Sequence, residues 1–154
     1  MLSHNWQKVG EARSLHKRYQ VFVSSTFADL QDERQTVIQT VLNHNCIPAV
    51  MELFPASDED QFKYIKRVID YCDYYILIIG HRYGSLTPDG LSYTEQEFRY
   101  ARSRGINILV FLRKDDAAIS DEDSGEEKPD RDKLDNFRRI VSEGRLVKYW
   151  TSPT

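Results

Sequence analysis

Apolar positions along this chain switch between strand-like runs and helical spacing, and the alternation outlines an α/β fold. Tyr19–Ser24 (YQVFVS) is short, β-branched and aromatic, which predicts a strand broken by Ser25 and Thr26. From Phe27 the spacing turns helical, with Leu30, Val37, Ile38, Val41 and Leu42 on one face. Thr26 is placed to cap that helix, with Asp29 three residues later as its reciprocal partner. Ile47–Met51 reads as a second strand, and Pro48 within it points to a sheet edge or a strand start. A loop with Pro55, Ser57 and Asp58 leads to a second helical face of Phe62, Ile65, Val68, Ile69 and Cys72. Asp73–Gly80 (DYYILIIG) is apolar without alternation, the pattern of a strand buried on both faces. Thr94–Ser103 predicts a short helix stopped by Gly105, and Ile106–Leu112 another buried strand. Leu134, Phe137, Ile140 and Val141 mark a last helix, and Leu146–Trp150 a final strand.

Strands that alternate with helices require right-handed crossovers and a parallel sheet. Five strands, with the most apolar in the middle, fit a flavodoxin-like three-layer sandwich of order 2-1-3-4-5. Residues 19–150 hold this pattern. Residues 1–18 are polar, moderately basic and without periodicity, and are expected to form an N-terminal extension. The final strand is followed by no further helical pattern, so the chain is expected to be a domain cut from a longer protein.

Composition changes this picture little. A length of 154 residues suits one domain, and a net charge of −3 argues against a nucleic-acid binder. The charge is uneven, however. Residues 115–132 carry nine acidic and two basic side chains, leaving +4 on the rest. That stretch is expected to be a mobile acidic loop. The two cysteines, Cys46 and Cys72, lie in apolar runs and supply neither a disulfide framework nor metal-ligand spacing. No apolar run reaches membrane-spanning length. The expectation is a reduced, cytoplasmic protein with no metal, no cofactor, no membrane and no nucleic acid.

In sheets of this order, ligands bind beyond the carboxyl ends of the strands where strand order reverses. Three clusters converge there. Ser24, Ser25, Thr26 and Phe27 offer hydroxyls and backbone N–H groups at a helix start, suited to an anion or a ribose; the plainer reading is a turn and a cap. Gly80–Gly84 (GHRYG) lets a ligand approach the backbone, with Arg82 for a phosphate and Tyr83 to stack on a base. Ser92–Glu97 holds Glu95 and Glu97 at a helix start, where a carboxylate can assist N-glycosidic cleavage. Thr94-x-x-Glu97 is also a capping box, which would occupy that carboxylate, and Ser92-x-x-Glu95 has the same spacing. Arg34, two turns into the first helix, is expected to pair with a neighbouring acid. GxGxxG and GxxxxGK[ST] motifs are absent, and Gly80 stands where a receiver domain needs an acid.

VFVSSTFADLQDER (Val21–Arg34) resembles the opening signature of the DUF4062 family, and YYILIIGHRYGS and SYTEQEFRYA match its later pattern. That family is similar to TIR domains and to nucleoside 2-deoxyribosyltransferases. The resemblance implies a TIR-like domain of a signalling or defence protein that binds a nucleotide such as NAD. It implies cleavage of an N-glycosidic bond, with Glu97, or else Glu95, as the catalytic carboxylate. Ser24, Ser25, Thr26, Phe27, Arg82, Tyr83 and Ser92 are the expected ligand contacts. The alternative is a non-catalytic assembly module that pairs with other domains of its parent chain or with itself.

Overall fold

The computed structural model describes residues 17–53, 60–114 and 128–152. Five strands, β1 (Gln20–Ser25), β2 (Ile47–Ala49), β3 (Tyr74–Ile79), β4 (Asn107–Arg113) and β5 (Val147–Trp150), form one sheet. Among the described residues, four helices alternate with them: α1 (Gln31–Asn43), α2 (Gln61–Asp70), α3 (Tyr93–Ser103) and α4 (Lys128–Ser142). The strand order is β2-β1-β3-β4-β5 and every pairing is parallel. This is the flavodoxin-like α/β arrangement that the hydrophobic pattern predicts.

The apolar runs decide which strands lie inside. In β3 every residue after Tyr74 is buried, because β1 and β4 flank it and helices cover both of its faces. β2 lies at the edge, where Pro48 removes no needed ladder donor. One face of the sheet, with Phe22, Tyr75, Leu77, Val110 and Leu112, packs against Ile65 and Ile69 of α2, Phe98 of α3 and Phe137 of α4. The other, with Val21, Val23, Ile76 and Ile78, packs against Leu30 and Val41 from the α1 side. Cys72 belongs to the first cluster, and burial pushes its thiol up to about 12, so it is no nucleophile at neutral pH.

Three boundaries differ from the sequence pattern by more than one residue. The first helix begins at Gln31, not Phe27, because Thr26 spends its hydroxyl on Asp29 before the helix starts; Leu30 occupies the N-cap position without a side-chain cap. The second strand ends at Ala49, and Met51–Leu53 forms a single 3-10 turn. The expected acidic loop ends at residue 127: Lys128–Asp132 belongs to α4, whose apolar face ties these residues to a continuing helix. The rest of that loop, 115–127, lies outside the described residues, as do residues 1–16 of the expected extension. No helix among the described residues is long and apolar enough to cross a membrane.

Candidate functional site

β1 and β3 are neighbours and run parallel, so Ser24 and Ser25 end beside Leu77 and Ile78 at one end of the sheet. Above this end lies a groove of about 700 Å3. Ser25, Thr26, Phe27, Asp29, Arg82 and Gly84 line it, joined by Met51, Gln61, Tyr93 and Thr94. Phe27 is well exposed at its mouth. The groove thus combines an exposed aromatic ring, one guanidinium and several hydroxyls.

One turn below Thr94, α3 carries Glu97, only 3% exposed. Ser24, itself buried on β1, donates its hydroxyl to Glu97 Oε2. Burial pushes the Glu97 carboxyl up to about 7; the Ser24 hydrogen bond and the charge of Arg34 act against it. The buried Tyr75 phenol is raised well above its ordinary range, by burial first and by the Glu97 charge second. The carboxylate therefore serves neither as the partner of the Thr94 cap nor as a wall of the groove. It is buried one helical turn from Thr94 of the groove wall, and its carboxyl is raised toward neutral pH.

Ser92, not Thr94, caps α3: its Oγ accepts from the Glu95 backbone N–H at 3.1 Å. The Glu95 carboxylate does not return the bond. Its Oε2 accepts from the Tyr83 hydroxyl at 2.5 Å, and its Oε1 from Arg99 Nε and Nη2 at 2.8 and 2.6 Å. Tyr83 is 1% exposed, and burial with the Glu95 contact pushes its phenol up to about 12. Its ring lies edge-on to Phe137, so in this conformation it builds the core and offers no face to a base. Ser92, Tyr83 and Glu95 thus support the wall behind the groove, whereas Ser25, Thr26, Phe27 and Arg82 face it. Tyr83→Phe is expected to leave a buried carboxylate oxygen unpaired and to cost about 1–3 kcal/mol in urea unfolding.

The glycines of the second cluster serve the protein's own chain. A Cβ on Gly80 would stand 2.8 Å from Asp29 Oδ2 and 2.9 Å from Leu30 Cδ2. One on Gly84 would stand 2.7 Å from Thr26 Cγ2. The close approach they permit is taken by the β1–α1 turn.

Arg34 lies in the first turn of α1 rather than two turns in, and it is 4% exposed. Nε and Nη2 donate to the two carboxylate oxygens of Glu52 at 2.8 and 2.7 Å, and Nη1 donates to Ser25 Oγ at 2.8 Å. The acidic partner expected for it is therefore Glu52, 18 residues on.

The signature that begins at Val21 is thus the segment that builds the turn, supplies Ser24 to Glu97 and anchors Arg34. The sequence profile described as "Domain of unknown function (DUF4062)" matches residues 20–154. The chain belongs to the DUF4062 family. The match takes in all five strands of the DUF4062 domain and every residue of the candidate site. No curated protein matches the chain.

Proposed function

We propose that this DUF4062 domain binds a nucleotide in the groove above β1 and β3 and cleaves its N-glycosidic bond, with NAD as the reference substrate. The observation that carries the reading is a buried carboxylate, Glu97, hydrogen-bonded to Ser24 and one helical turn from Thr94 of the groove wall. The TIR-like resemblance supports it, and so does the position at the strand-order reversal. Phe27 offers a ring to the base and Arg82 a guanidinium to a phosphate, while the hydroxyls of Ser25 and Thr26 suit a ribose. Once ionised, Glu97 would attack or stabilise C1′ as the bond to the base breaks, the bonding pair leaving with the base nitrogen. Water completes the hydrolysis at C1′ and releases a proton. Reaching C1′ requires the Ser24–Glu97 contact to open toward the groove.

The test is incubation of the chain with NAD and chromatography for nicotinamide. Release is expected, with Glu97→Gln lowering it about a thousandfold or more and Glu95→Gln leaving measurable turnover. Absence of nicotinamide, or full turnover by the Glu97→Gln chain, sinks the reading. One observation favours the second reading, an assembly module for other domains or for a second copy: Glu97 is covered, and Glu95 already has partners in Tyr83 and Arg99.

A further inference from the structure

We propose that the α1 side of β4 and β5 is a docking surface for an amphipathic helix with acidic flanks, supplied by another polypeptide. The two faces of the sheet are unequally covered. α2, α3 and α4 pack on one face, where Val110 and Leu112 of β4 are each 2% exposed. On the other face α1 is the only helix among the described residues, and it lies over β1 and β3. The alternate positions of β4 are therefore left open: Leu109 is 47% exposed, and Phe111 is only partly buried at the flank of α1. Phe111 pairs with Lys148 of β5 and Arg113 with Trp150, so these four side chains share the open face. Leu146, just before β5, is 87% exposed.

The open strip is one helix wide. Two strands about 4.8 Å apart make a strip about 10 Å across, which is the diameter of a helix with its side chains. The strip is hollowed: a cavity of about 140 Å3 lies between α1 and the pair Phe111 and Trp150, and another of about 330 Å3 among Leu109, Phe111, Leu146 and Lys148. Charge selects the occupant. Arg113, Arg145 and Lys148 border the strip, and among the described residues none of them pairs with a carboxylate. Arg113 lies over the Trp150 ring at 5.2 Å, and the buried Trp150 Nε1 has no acceptor among the described residues. Cations and an unpaired N–H donor around an apolar strip are complemented by Asp and Glu beside an apolar stripe. A second copy would set these cations against their own kind, and the apolar faces of its described helices are already spent on its core. A flat lipid surface is held off by α1, which walls the strip on one side. Neither cavity shares a lining residue with the nucleotide groove, so the inference stands apart from the reading of that groove.

The experiment is a proton–nitrogen NMR titration of the full chain with a helix-forming peptide of about 14 residues, with leucines at i, i+3, i+4 and i+7 and glutamates between them. The Trp150 indole N–H is the reporter, told apart from that of Trp6 by Trp6→Phe. Saturable shifts at Trp150 and Leu109 are expected. A twin peptide with lysines in place of the glutamates is expected to bind at least about tenfold more weakly. Lys148→Glu, at an exposed site, is expected to remove that preference, and Leu109→Ser to weaken the glutamate peptide about tenfold. Absence of binding, equal binding of the two peptides, or shifts away from β4 and β5 overturns the proposal. Self-association of the chain that Leu109→Ser abolishes would give the face to a second copy and overturn it as well. Sedimentation with phosphatidylserine vesicles that the same substitution abolishes would give it to a membrane, with the same consequence.

Discussion

The Glu97→Gln chain is expected to be more stable than the unsubstituted chain above pH 7 and to lose that advantage near pH 4. The native carboxyl holds its proton up to about 7, whereas the unfolded one releases it near 4.5. Between those values the native state binds more protons, so raising the pH favours unfolding. Below about 4.5 both states are protonated and the contribution of Glu97 is fully present; above about 7 it is lost. At 1.36 kcal/mol per pH unit the window amounts to about 3 kcal/mol. Glutamine has the shape of the neutral acid, and its carbonyl oxygen can accept the Ser24 hydroxyl while carrying no charge to bury. Urea unfolding at pH 4.5, 6 and 8 measures the effect, because the difference between the two chains cancels every other titrating group. Parallel stability curves would refute the assignment of a neutral-range carboxyl to this position.

Gly84→Ala is expected to cost about 2–3 kcal/mol, from two separable causes. The backbone of Gly84 has φ +90°, which an L side chain adopts at a cost of about 1–2 kcal/mol. The new methyl also meets Thr26 Cγ2 at 2.7 Å. Thr26→Ser removes that carbon, leaving Cβ at 3.8 Å and keeping a hydroxyl for Asp29. In a Thr26→Ser background, Gly84→Ala is therefore expected to lose only the backbone part, with a coupling of about 1 kcal/mol in a double-mutant cycle. Full additivity would mean that the turn and the β3–α3 loop do not touch.

These contacts mark the limit of what the sequence makes legible. Strand identity and order follow from runs such as Tyr74–Ile79, because hydrophobic periodicity reports burial directly. Convergence of three polar clusters at one sheet end follows from the strand order. Which member of each cluster faces outward does not. Glu95 and Glu97 are two residues apart on α3 and both are buried, yet one meets Tyr83 and Arg99 while the other meets Ser24. Capping-box spacing fitted both, and packing from other elements chose between them. Glu52 carries no local signal, since its importance comes from Arg34, 18 residues earlier. Tyr75 is hidden within an apolar run, where a phenol looks like one more core side chain. The start of α1 is not legible in the spacing, because Thr26 and Asp29 satisfy each other and leave the helix to begin later.

The Ser24–Glu97 bond joins residues 73 apart in the chain. The β1–β3 pairing beside it, Ser24 with Leu77, already encloses β2 and α2. Contacts of such separation form only after the intervening chain has surrendered its loop entropy, which makes parallel sheets slow to assemble. No local fragment of this domain contains both Ser24 and its partner Glu97. The Glu97 environment should be among the last to mature in refolding, so its titration doubles as a reporter of completed folding.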